Sequence, residues 1–195
     1  MTIIKSITLT DTHYRDIPVF KKLFTLECAP ITLLIGDQGV GKSTLLGFFN
    51  SNNPPLSIVF SEKVDPSKIS FFYFDSEKDN PRMSNIQNAA DSQSYIHACL
   101  SRFQSHGQVL SGIMIDVIDK MHNTLVVLDE PESGLSLRNQ FIFLKTIQAA
   151  TQRGCQFLIA THAPLFIESH CVFSLDDYAW HSGKAYIQQV RKSLQ

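Results

Sequence analysis

The sequence predicts an α/β fold, a mixed sheet with a parallel core and antiparallel edge strands, carrying a small two-helix insertion. Three observations predict it. Short apolar runs rich in β-branched residues recur along the chain and, in its second half, alternate with stretches of helical periodicity, a pattern that calls for parallel βαβ connections. One such run, Ile31 to Ile35, breaks at Gly36 into a G-x-x-x-x-G-K-S loop that precedes a helical pattern. Another, Thr124 to Leu128, ends on the paired carboxylates Asp129-Glu130. With 195 residues, 44% hydrophobic content and 14 phenylalanines the chain can bury a full core. Residues 1–195 are therefore expected to form one domain, with the helical insertion at about 83–121.

Taken in order, Thr2 to Thr10 alternates apolar and polar side chains and reads as a half-buried strand. A second strand is expected around Val19 to Leu26, pairing with the first as an antiparallel edge that leads to the Ile31 strand. The helix after the glycine-rich loop runs from Lys42 to about Phe49 and is stopped by Asn50-Ser51-Asn52-Asn53-Pro54-Pro55. Ser57 to Phe60 and Ile69 to Phe74 read as strands, the second continuous enough to be central. Residues 91–102 and 107–121 carry apolar side chains at helical spacing and form the insertion. Thr124 to Leu128 is a fully apolar strand, and Leu137 to Ala150 an amphipathic helix with Ser136 as N-cap. Gln156 to Ala160 is a strand, followed by a short helix to about Ser169. Cys171 to Leu175 and Ala185 to Val190 are expected to complete the sheet.

Composition excludes several classes. Seventeen basic against eighteen acidic residues leave a net charge of -1, which argues against nucleic-acid binding by the whole domain. Cys28, Cys99, Cys155 and Cys171 are scattered, without a C-x-x-C pair, and read as the reduced thiols of a cytoplasmic protein. The first ten residues alternate instead of forming a signal peptide, and no run is long enough to span a membrane.

The loop Gly36-Asp37-Gln38-Gly39-Val40-Gly41-Lys42-Ser43-Thr44 is the phosphate-binding loop of a P-loop nucleoside triphosphatase. Its glycines let successive backbone N–H groups point at phosphate oxygens, and the helix behind it adds its positive dipole end. Lys42 is placed to reach the β- and γ-phosphates, and the Ser43 hydroxyl to ligate Mg²⁺. Asp129 is the second expected partner of Mg²⁺, and Glu130 the general base that orients and deprotonates the attacking water.

Further motifs carry a family resemblance. Leu125 to Ser136, LVVLDEPESGLS, resembles the Walker B motif and D-loop of ABC-type ATPases, and Ala160-Thr161-His162 looks like their switch histidine. Gln104-Ser105-His106-Gly107-Gln108 is similar to their signature, normally LSGGQ, but has Gln104 for the leucine and His106 for the first glycine. The resemblance runs from about Ile31 to Ser169, with all motifs in the family's order. It implies an ABC-type ATPase fold, ATP and Mg²⁺ as cofactors, and a homodimer formed on ATP binding. Ser105 and the Gly107 N–H of one subunit would face the γ-phosphate held by the other, His162 would contact that phosphate, and Ser133 to Ser136 would cross the seam. A Q-loop glutamine has no assignment, since Asp75 and Glu77 stand where it is expected. Tyr14, with Arg15 beside it, is the candidate for stacking on the base.

The interval before the signature has no room for long coiled coils, so the chain resembles the compact stand-alone ABC ATPases found beside effector proteins in bacterial defence and toxin-like operons. Such a protein would act as a nucleotide-driven dimer switch on a protein effector in a hetero-complex, through residues 91–121 and 75–82. A transporter's nucleotide-binding subunit and a non-hydrolysing assembly module are the alternatives.

Overall fold

Runs of consecutive apolar residues mark strands covered on both faces, and that is how they are used here. The computed structural model describes residues 2–10, 17–51, 54–76 and 114–193. Along the chain run β1 (Ile4–Leu9), β2 (Thr25–Glu27), β3 (Ile31–Ile35), α1 (Lys42–Gly47), β4 (Leu56–Phe60), β5 (Ser70–Asp75), β6 (Thr124–Asp129), α2 (Leu137–Gln152), β7 (Gln156–Ala160), α3 (Pro164–Ser169), β8 (Cys171–Ser174), β9 (Ala179–Ser182) and α4 (Gly183–Ser193). A six-stranded sheet has the order β5-β6-β7-β3-β8-β9, parallel except for β9. A separate antiparallel sheet has the order β2-β1-β4.

The larger sheet lies between two layers. On one face Val126 and Leu128 of β6, with Phe157 and Ile159 of β7, pack against Phe143 and Ile147 of α2, Phe166 of α3, and Met114 and Ile118 of the helical residues 114–119. On the other, Leu125, Val127 and Leu158 meet Leu45 and Leu46 of α1 and the apolar face of β1. Each of these fully buried side chains contributes about 1.5–3 kcal/mol of transfer free energy. Gln156 at the start of β7 joins the two sheets, and is itself only 1% exposed. Its Oε1 accepts from the Ile3 and Ile4 N–H groups at 2.8 and 2.6 Å, and its Nε2 donates to the Ile4 and Ala29 carbonyls at 2.9 and 3.0 Å.

The structure corrects three expectations. The stretch from Val19 begins as a 3₁₀ turn, Pro18–Lys21, and the strand is only Thr25–Glu27. Pro18 presets the turn, and the Val19 N–H donates to the Val40 carbonyl at 2.8 Å, so this segment floors the glycine-rich loop. β5 is an edge strand of the described sheet, not a central one. Its apolar run reflects burial on both faces, with Phe72 and Phe74 in one core and Tyr73 in the other. Ala185 to Val190 is helix, within α4, and β9 takes the last place in the sheet. Tyr186 and Ile187 pack on the core, and a Cβ on Gly183 would overlap the Ile167 and His170 carbonyls at the close approach to α3. Ser136 caps α2 as expected, its Oγ accepting from the Asn139 N–H at 3.3 Å. Of the insertion, residues 83–113 lie outside the described residues.

Candidate functional site

β3, β6 and β7 are parallel neighbours in register, with Leu34 opposite Ala160 and Ala160 opposite Asp129. Whatever follows their carboxyl ends therefore emerges at one edge of the sheet, where ligands bind in open α/β folds. After β3 comes the loop 36–41, after β6 Glu130, and after β7 Thr161 and His162.

The loop folds as its glycines allow. Gly36, Gly39 and Gly41 have φ of 146°, 78° and 110°, and a Cβ on Gly41 would press into Val19 and Ile17 at 2.5 and 2.7 Å. Asp37 and Gln38 are exposed, Val40 is buried beneath them, and Thr44 is half-buried. Lys42, the first residue of α1, is only 5% exposed. Its Nζ donates to the carbonyls of Gly36 at 2.8 Å and Asp37 at 3.0 Å. Burial lowers its proton affinity, against the opposing pull of Glu130, Asp176, Asp129 and Asp37.

The metal candidates differ in setting. Ser43 is exposed on α1, whereas Asp129 is 4% exposed at the end of β6, paired in register with the buried Asp75. Glu130 leaves the strand with φ 47°, a left-handed conformation that costs a non-glycine residue about 1–3 kcal/mol. Its Oε1 lies 3.7 Å from His162 Nε2, both side chains being partly exposed. A cavity of about 690 Å³ opens beside them, lined also by Gly36, Asp37, Gln38, Pro164, Ile187 and Arg191. The structure thus brings together Lys42, Asp129, Glu130 and His162. Ser105 and Gly107, along with Tyr14, Arg15 and Glu77, lie outside the described residues.

Two residues were given no role by sequence reasoning. The Asp176 carboxylate, in the turn after β8, accepts the Asp37 N–H at 3.1 and 3.2 Å and anchors the start of the loop. Nothing local marks it, because its place depends on β8 lying beside β3. Glu132 was legible only as a letter of the D-loop-like stretch. Its Oε1 accepts from the Thr161 hydroxyl at 2.7 Å, the His162 N–H at 2.8 Å and the Ala163 N–H at 3.1 Å.

Residues 94–168 match the family model described as "AAA domain, putative AbiEii toxin, Type IV TA system". No curated protein matches the chain in sequence. Among solved structures, the ADP conformation of an ATP-binding cassette of an ABC transporter is similar over 89% of this chain and 87% of its own, at 15% identity and a TM-score of 0.52. "An inward-facing conformation of a putative metal-chelate type ABC transporter" aligns over 91% of this chain and 82% of its own, at 18% identity and a TM-score of 0.49. With its glycine-rich loop and this sheet order, the chain has a P-loop fold, that of an ATP-binding cassette.

Proposed function

We propose that this protein binds ATP with Mg²⁺ on the loop 36–44, hydrolyses it, and uses nucleotide-dependent dimerisation to switch a protein effector. The observation that carries the reading is the convergence of Lys42, Asp129, Glu130 and His162 at the carboxyl ends of three adjacent parallel strands, with Glu130 and His162 3.7 Å apart. The residues fit the cofactors. Four carboxylates, those of Glu130, Asp176, Asp129 and Asp37, act on the Lys42 ammonium, and this local negative charge would disfavour a bare polyphosphate and favour one that carries a divalent cation. Ser43 and Asp129 would hold Mg²⁺, and the N–H groups of Gly39 to Ser43 the phosphates. Bound Mg²⁺ would neutralise charge on the β- and γ-phosphate oxygens.

The chain's own residues do the rest. Lys42 supplies a buried positive charge to the transferred phosphoryl group, Glu130 orients a water and takes its proton, and His162 sits against the γ-phosphate. In the dimer, Ser105 and Gly107 of one subunit would face the phosphate of the other. The family model's description, which names a toxin and a toxin–antitoxin system, supports a role beside an effector, and the antiviral setting is part of the proposal. The test compares two variants by nucleotide binding and phosphate release. Lys42→Ala is expected to weaken ATP binding, and Glu130→Gln to keep binding and lose turnover at least about a hundredfold. Normal turnover in purified Glu130→Gln removes the general base and with it the hydrolytic reading.

A further inference from the structure

The loops that follow β6 and β7 are joined by one carboxylate oxygen. Glu132 Oε1 accepts from the Thr161 hydroxyl, the His162 N–H and the Ala163 N–H, all within 3.1 Å, while Oε2 is buried with no hydrogen-bond partner among the described residues. Thr161 is fully buried, and its hydroxyl also accepts from the Ala163 N–H at 3.0 Å, so the donors form a pre-built cradle. A carboxylate held by two successive N–H groups and a hydroxyl is a strong, charge-assisted anchor. Glu132 stands two residues after Glu130, and the cradle runs into His162, whose ring faces Glu130.

We propose that Glu132 is a positioning residue that latches the His162 loop to the segment 131–136, so that a displacement of either is transmitted to the other. This rests on the reading of His162 as the group that meets the γ-phosphate. The latch presets His162 against Glu130 in the monomer. It also gives whatever docks on residues 133–136 a mechanical route to the reacting centre, through backbone donors and without contacting the nucleotide.

Two measurements test it. Amide hydrogen exchange of the whole protein is expected to quicken about tenfold or more at His162 and Ala163 in Glu132→Ala, and less in Glu132→Gln, whose amide oxygen still accepts. Turnover is expected to fall about tenfold in Glu132→Ala with ATP-analogue affinity within about twofold, and the Glu132→Ala/His162→Ala double variant to be no slower than the slower single variant. Thr161→Val, which removes one donor, covers the case of a Glu132→Ala protein that does not fold. It is expected to shift exchange and turnover in the same direction by less. Unchanged exchange at both amides, or independent losses that multiply in the double variant, overturns the latch. A wild-type protein without ATP turnover instead overturns the proposed function, and the exchange result then decides the latch alone.

Discussion

Replacing Gln156 by leucine keeps most of the side chain's volume and removes its four hydrogen bonds to Ile3, Ile4 and Ala29. The loss can be apportioned from the structure. The Ala29 carbonyl keeps a second donor, the Thr32 hydroxyl at 3.3 Å, but the Ile3 and Ile4 N–H groups have their Oε1 acceptor taken away. Leaving a buried N–H unsatisfied costs about 1–3 kcal/mol, so two of them set an upper figure of about 6 kcal/mol. Fraying of the first residues would let water reach them, yet Ile3 and Ile4 are 3% and 1% exposed, and uncovering each forfeits about 1.5–3 kcal/mol. The expected destabilisation is therefore about 3 kcal/mol, or a fall in Tm of about 6–12 °C for a chain of this size. Urea titration followed by far-UV circular dichroism and by fluorescence of Trp180, the sole tryptophan, measures it, with Gln148→Leu on the exposed face of α2 as a control expected within about 0.5 kcal/mol. A loss below about 1 kcal/mol in Gln156→Leu would refute the claim that this side chain clamps the sheets.

Three further outcomes are expected. Ser105→Arg in a Glu130→Gln background should block ATP-induced dimerisation without abolishing ATP binding to the monomer; light scattering checks it, and equal dimer with and without the substitution removes the signature assignment. Ser136→Ala should cost about 1 kcal/mol of stability through the lost α2 cap, read by the same urea titration, and no change would deny the cap its role. Burial, with Glu27 nearby, pushes the Cys28 thiol up to about 12, so it stays protonated at pH 8. Peptide mapping after brief alkylation of the native protein should find the exposed Cys171 modified well before Cys28, and the reverse order would contradict the half-buried setting of Cys28 between β2 and β3.

How far the site could be read from the chain follows from how local its determinants are. Gly36, Gly39 and Gly41 all adopt positive φ, and the loop they form needs no distant residue to be recognised. His162 was legible because Ala160-Thr161-His162, at the end of an apolar strand, resembles the switch histidine of ABC-type ATPases. Its distance to Glu130 was not, since it depends on β7 lying directly beside β6. The Ala185 to Val190 run illustrates the opposite failure. Apolar side chains at 185, 187 and 190 satisfy a strand loosely and a helix equally, and the contact of Tyr186 and Ile187 with the core decides for the helix.

By itself, the sequence determined the phosphate-binding loop between β3 and α1, the carboxylate-terminated strand β6, the capped helix α2 and the βαβ alternation of the second half. These rest on turn glycines, an N-cap and side-chain periods, whose causes lie within a few residues of one another. Only the tertiary structure decided that β5 lies at an edge of the described sheet, that Asp176 anchors the loop, that Gln156 clamps the sheets across 153 residues of chain, and that Glu132 grips the His162 loop 30 residues away. Periodicity encodes whether a side chain is buried, and it carries no record of what it is buried against. That partner is chosen by strand order, which no local pattern contains.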